Sequence, residues 1–173
     1  MDRELADLIA RVRRLEDGEA VRHTWRDYCM RLDSGDWDGL GDVFCEDAVL
    51  EMDGLDPLAP GLDGTYRGRA SIIGDFYQRT GTGAMEDRSL FATGHLSTNM
   101  QVDLQGDEAT TLAYFFEIVA NNRVLIGTYQ HRLRREPDRW RLAFLRISVR
   151  FRAKLEATEV GGQSLRGILA KPV

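Results

Sequence analysis

Thr110-Thr111-Leu112-Ala113-Tyr114-Phe115-Phe116-Glu117-Ile118-Val119-Ala120, the pair Asn121-Asn122, then Val124-Leu125-Ile126-Gly127-Thr128-Tyr129-Gln130-His131-Arg132-Leu133-Arg134 are the residues on which the fold turns. Both apolar runs are rich in β-branched and aromatic side chains, and the Asn pair between them is turn chemistry, so they predict a hairpin. Working upstream, His95 to Leu104 reads as a strand, joined through the turn Gly106-Asp107. Working downstream, Pro137-Asp138 turns the chain into Trp140 to Phe151. Four strands in a row with short turns predict an antiparallel meander.

The N-terminal third has a different period. Leu5, Leu8, Ile9, Val12 and Leu15 recur at three- and four-residue spacing, which predicts a helix. Gly18 interrupts the pattern, and Val21, Trp25, Tyr28, Cys29 and Leu32 predict a second, longer one. Gly35 suits a left-handed helix end, and Asp36 an N-cap for a short third helix carrying Trp37, Leu40, Val43 and Phe44. Ala48 to Met52 reads as a strand and Asp53 to Thr65 as a loop. Arg69 to Arg79 reads as a helix with Ile72, Ile73, Phe76 and Tyr77 as its buried stripe, ended by Gly81 and Gly83. Helices, one strand, a helix and a meander make an α+β domain, a curved sheet with helices on one face. It spans residues 1–152. The polar tail, 153–173, is either mobile or laid on a neighbouring subunit.

Composition narrows the function. The 173 residues carry 23 Lys and Arg against 28 Asp and Glu, a net charge of −5. That balance argues against nucleic acid or an anionic membrane as partner. Cys29 and Cys45 form no C-x-x-C pair and have no zinc-spaced histidines. The charged start Met1-Asp2-Arg3-Glu4 is unlike a signal peptide, and no run approaches a membrane span, so a reduced, cytoplasmic protein is expected. Gly81-Thr82-Gly83 lacks the third glycine of a dinucleotide site. Ser164 misses the nucleophile-elbow spacing by one residue. Asp36, Asp38 and Gly39 lack the other ligands of a calcium loop. Chemistry must come from residues that the fold brings together.

Three histidines are available. His23, between Arg22 and Thr24, lies off the apolar helical stripe and is expected in solvent. His131 sits on a strand, where it either lines a pocket or pairs across the sheet. His95 opens a strand whose alternate residues, His95, Ser97 and Asn99, form a polar row where a buried face is expected. Asp33 is its natural partner. A carboxylate at a helix C-terminus opposes the helix dipole unless a cation or proton donor faces it.

These residues carry a resemblance. Arg31-Leu32-Asp33-Ser34-Gly35-Asp36-Trp37-Asp38-Gly39-Leu40 followed by Phe44-Cys45-Glu46-Asp47-Ala48, Gly94-His95-Leu96-Ser97-Thr98-Asn99 with Gly106-Asp107-Glu108-Ala109, and Gly127-Thr128-Tyr129 with Trp140-Arg141-Leu142 and Arg146 resemble the motifs of SnoaL-like proteins. These belong to the nuclear-transport-factor-2-like superfamily. The resemblance runs from about Leu15 to Arg150. It implies a cone-shaped α+β barrel, its curved, mostly antiparallel sheet wrapped around the N-terminal helices, assembled as a homodimer or homotrimer.

The branch most similar is that of scytalone dehydratase and hexachlorocyclohexane dehydrochlorinase. It implies an Asp–His dyad, mapped onto Asp33 and His95, and a pocket in which Tyr114 and His131 are candidates. Polyketide cyclases of the superfamily use a lone Asp on another strand, which has no counterpart aligned here. The expected activity is a cofactor-independent, metal-free lyase of the dehydratase type, or an isomerase or cyclase, acting on a small hydrophobic cyclic or polyketide-like molecule. Trp25, Tyr28, Met52, Phe76, Phe91 and Phe116 are candidate walls, and Arg146 touches a substrate oxygen or bridges subunits. The alternatives are a non-catalytic module like the small subunit of ring-hydroxylating dioxygenases, or a ligand-binding protein.

Overall fold

A computed structural model describes residues 3–57, 59–79, 95–119, 123–154, 159–160 and 163–164. One helix, α1 (Arg3–Ser34), is followed by the short α2 (Trp37–Asp42), β1 (Phe44–Asp53) and β2 (Gly64–Arg67). A helical segment starts as α3 (Arg69–Ser71) and passes directly into a π-helical stretch, Ile72–Tyr77. The meander is β3 (Leu96–Gln105), β4 (Glu108–Val119), β5 (Arg123–Arg135) and β6 (Trp140–Lys154). A separate two-stranded pair, β7 (Glu159–Val160) with β8 (Gln163–Ser164), falls within the tail.

Six strands pair in the order β2-β1-β6-β5-β4-β3. All neighbours are antiparallel except β1 and β6, which run parallel. Among the described residues the sheet does not close: β2 and β3 are its edges, so the expected cone is open on one side. Irregularities at Thr98/Gln101, Ile126/Gly127 and Arg132/Leu133 bend the strands, as bulges do. The curve lets α1 touch β3 and β6, at opposite ends of the meander.

The two helices expected on either side of Gly18 are one. A glycine in mid-helix costs about 1 kcal/mol relative to alanine, a penalty that packing offsets. Gly18 is buried, and a side chain there would press on Arg22 and approach Leu104 of β3. From Gly18 on, the expected stripe faces inward, with Val21, Trp25, Tyr28 and Leu32 all buried. Before it, Leu5, Leu8, Val12 and Leu15 are exposed. The loop expected from Asp53 to Thr65 stands largely as read, with Asp63 and Asp56 carboxylates accepting its backbone N–H groups. It gives way to β2, whose four mostly polar residues show no apolar alternation.

Aromatic rings fill the space between helix and sheet. Trp25 stacks on Tyr28 at 4.4 Å and meets Tyr129 at 4.7 Å and His131 at 4.1 Å. The Tyr28 hydroxyl bonds that of Tyr77, in the π-helical stretch, at 2.7 Å. No described helix is long and apolar enough to cross a membrane.

Candidate functional site

Asp33 owes its position to the way α1 ends. Gly35, at φ 69°, takes the left-handed conformation. Its N–H bonds the Leu32 carbonyl at 3.1 Å, while the Asp36 N–H bonds that of Arg31 at 3.0 Å. This paired closure is a Schellman motif, and it stops the helix with Asp33 in its last turn. Asp36 then caps α2 by accepting from the Gly39 N–H at 3.0 Å.

His95 stands one residue before β3, and Asp33 grips it twice. The carboxylate accepts the His95 backbone N–H at 3.1 and 3.2 Å, and Oδ1 lies 2.5 Å from the ring Nδ1. Against a carboxylate the ring nitrogen must be the donor, so Nδ1 carries hydrogen. The other nitrogen, Nε2, lies 3.2 Å from Oε1 of Glu117. The imidazole is therefore held between two carboxylates, with side-chain exposures of 27% for Asp33, 14% for His95 and 16% for Glu117. Burial alone would lower the His95 pKa; the charges of Glu117 and Asp33, with the Asp33 hydrogen bond, outweigh it and raise the pKa. Burial raises that of Glu117, with His95 lowering it and Asp33 adding to the rise. One turn before Asp33, burial and the same two carboxylates push the Cys29 thiol up to about 12, so it stays protonated and un-nucleophilic.

Glu117 is the residue that the sequence reading missed: it lies inside the run Thr110 to Ala120 and is not singled out there. Its signal was parity. Ala113 and Phe115, four and two residues earlier on β4, are buried, and Glu117 follows them on the inward face. The polar row on β3 holds for His95 and Ser97 and breaks at Asn99. Asn99 has φ 54° and lies at the bulge, which hands the inward phase to Met100, Val102 and Leu104. Ser97 Oγ is buried without a hydrogen-bond partner among the described residues.

The other candidates separate by face. Tyr114 alternates with Ala113 and Phe115 and stands 51% exposed on the opposite side of β4, so the structure does not bring it to the dyad. Phe116 is also exposed. Arg146 is exposed too, with two guanidinium nitrogens on Glu51 Oε2 at 2.5 and 2.7 Å and its charge near the Phe144 ring. Trp25, Tyr28, Met52 and Phe76 are core residues. Phe91, Gly81, Gly83 and the Asn121-Asn122 turn lie outside the described residues.

His23 is in solvent, 3.5 Å from Asp27. His131 is buried against Trp25, its Nδ1 on the Thr111 hydroxyl and its Nε2 unpartnered among the described residues. Burial lowers its pKa to about 3, so it is a neutral core imidazole. The arginines of the last strands are largely paired with acids: Arg141 with Asp42, Asp138 and Glu136, and Arg139 with Asp27 and Asp42. An open groove of about 540 Å³ lies elsewhere, lined among others by His131, Gln101, Leu112, Gln130 and Phe144 and by none of Asp33, His95 and Glu117. Among the described residues no group of three or more His, Cys, Asp or Glu is arranged to hold a metal ion.

A hydrogen-bonded helix-end Asp and strand His, inside an open α+β cone, is the arrangement that the SnoaL-like motifs imply, and the profile of the SnoaL-like domain matches residues 13–146. The chain belongs to the SnoaL-like family. Among solved structures, it is similar to an NTF2-like protein with a cystatin-like fold from Novosphingobium aromaticivorans, at 28% identity and TM-score 0.65, covering 84% of this chain and 89% of that one. A type 2 hexachlorocyclohexane dehydrochlorinase, LinA, shares the fold at 16% identity and TM-score 0.68, covering 85% and 94%. So does a scytalone dehydratase-like protein from N. aromaticivorans, at 18% identity and TM-score 0.59, covering 84% and 91%. No curated protein matches the sequence.

Proposed function

We propose that this SnoaL-like protein is a cofactor-independent lyase of the dehydratase type. His95 removes a proton next to a carbonyl of a small cyclic or polyketide-like substrate, and a leaving group departs from the neighbouring carbon. Isomerisation or cyclisation would proceed from the same enolate. One observation carries this reading: an imidazole, oriented through Nδ1 by Asp33 at 2.5 Å, whose second nitrogen faces the Glu117 carboxyl at 3.2 Å. Asp33 fixes the tautomer and stabilises the imidazolium as the proton arrives. A general base so placed contributes about 10²–10⁴ in rate.

The test is turnover of a panel of cyclic β-hydroxy ketones, followed by the absorbance of the enone formed. Asp33→Asn and His95→Ala, folded by circular dichroism, should each lose activity; full activity in either sinks the mechanism.

The outer sheet face supports self-association. Leu96 pairs with Phe116, Phe116 with Ile126, and Ile126 with Phe151, one exposed apolar row across four strands. Such a row on a soluble protein favours a covering partner. The partner proposed is a second copy of this chain.

A further inference from the structure

We propose that Glu117 is a second catalytic residue, the acid that protonates the leaving group while His95 takes the proton from carbon, and that their direct contact resets the site after each turnover. This rests on the lyase reading and adds the half of the proton cycle that a lone base leaves open.

Geometry comes first. Glu117 lies on the inward face of β4, one step beyond the Leu96–Phe116 pair, so its carboxylate is the cross-strand neighbour of His95. Oε1 stands 3.2 Å from Nε2, the nitrogen that Asp33 does not occupy. A substrate reaching Nε2 must therefore also meet Glu117. Its charged neighbours are His95 and Asp33, and around them stand Cys29 on α1, Tyr77 in the π-helical stretch and Tyr129 on β5. Crowding beside a second carboxylate, with burial, favours the protonated form of Glu117.

The proton count closes. In the reacting form His95 and Glu117 share one proton, held on Glu117 Oε1, while the ring keeps hydrogen on Nδ1 toward the Asp33 carboxylate. The substrate's carbon-bound proton moves to Nε2, and its bonding electrons form the C=C bond as the C–O bond breaks. The Glu117 proton passes to the departing oxygen, giving water. Imidazolium and carboxylate then face each other across the 3.2 Å contact, and the proton returns from Nε2 to Oε1. The site carries one net negative charge before and after. A hydroxyl needs that proton to leave; a chloride does not. Glu117 thus selects for a hydroxyl leaving group.

The experiment compares wild type, Glu117→Gln and His95→Ala on a cyclic β-hydroxy ketone and its β-chloro analogue. Glu117→Gln should lower kcat on the hydroxyl substrate by about 10²–10⁴, with a loss on the chloride at least about tenfold smaller. Equal losses on both, or none on the hydroxyl, overturn the role of Glu117. Turnover surviving in His95→Ala overturns the lyase reading instead. A second measurement needs no substrate: an NMR titration of the His95 imidazole, whose midpoint should fall in Glu117→Gln. An unchanged midpoint overturns the coupling.

Discussion

Asp33 and His95, 62 residues apart in sequence, meet at 2.5 Å through Oδ1 and Nδ1, and the same carboxylate holds the His95 backbone N–H just ahead of β3. Asp33 therefore has a structural and an electrostatic task. Asp33→Asn keeps the shape but loses the charge, so the imidazolium loses a stabilising partner and the ring can turn to the wrong tautomer. Turnover should fall by on the order of 10²-fold or more, and the NMR midpoint of His95 should drop. Asp33→Ala also frees the backbone N–H and should lower the thermal midpoint further than Asn does. Equal melting of the two variants would deny the structural task.

Two histidines should pull stability with pH in opposite directions. His95 has a raised folded pKa, so its contribution is fully present below about pH 6.5 and is lost as pH rises through the folded value. Glu117, also raised, adds a loss of the same sign as pH rises above its unfolded value. His131 is depressed to about 3. The unfolded chain takes up a proton near pH 6.5 that the folded chain refuses, so stability is lost as pH falls from there toward 3. Between pH 7 and pH 4 that amounts to as much as about 3 kcal/mol. Denaturant unfolding of His131→Asn at both pH values should show this acid sensitivity reduced. An undiminished difference would mean that His131 is not held neutral.

The legible parts of this fold are those in which local chemistry and tertiary demand agree. The meander was readable because its turns and β-branched runs coincide with its strand pairs, and the Asp33 turn because Gly35 and Asp36 act within a few residues of themselves. Gly18 misled because burial against Leu104 outweighs a local helix penalty. β2 was hidden by its polar, four-residue length. The site divides the same way. Asp33 and His95 stand out as polar groups at odds with their surroundings, whereas Glu117 follows an apolar run and looks like its end. Only parity with Ala113 and Phe115 reveals it. Parity also decides against joining Tyr114 to His95, since one residue's shift along a strand is a change of face.

The self-association proposed for the outer apolar row is open to measurement. Leu96 and Phe151 are 62% and 53% exposed, at the two ends of a line whose middle, Phe116 and Ile126, is only 38% exposed. Sedimentation should find wild type as a dimer or trimer at micromolar concentration. Phe116→Ser with Phe151→Ser should shift it toward monomer without unfolding it, because neither side chain belongs to the buried core. A monomeric wild type would remove the proposed partner.

Gly127 offers a test of the packing behind the site. Its backbone needs no left-handed angle; the constraint is space. A methyl group there would lie 2.6 Å from two ring carbons of Phe115 and 2.1 Å from the Ser148 carbonyl oxygen. Phe115 thus lies against a bare backbone position at the β5 irregularity, 4.6 Å from the Tyr129 ring. Alanine must both push Phe115 aside and part β5 from β6. Overpacking of this kind costs about 1–3 kcal/mol, readable as a lower denaturation midpoint with an unchanged denaturant slope. Phe115 precedes Glu117 by two residues on the same face, so the displacement should also reach the Glu117 carboxyl group. Gly127→Ala is expected to lower turnover on the hydroxyl substrate more than on the chloride, as Glu117→Gln does. The paired variant Gly127→Ala with Phe115→Leu should recover only the part of the loss that arises at the ring. No recovery would place the strain at the Ser148 carbonyl rather than at the ring.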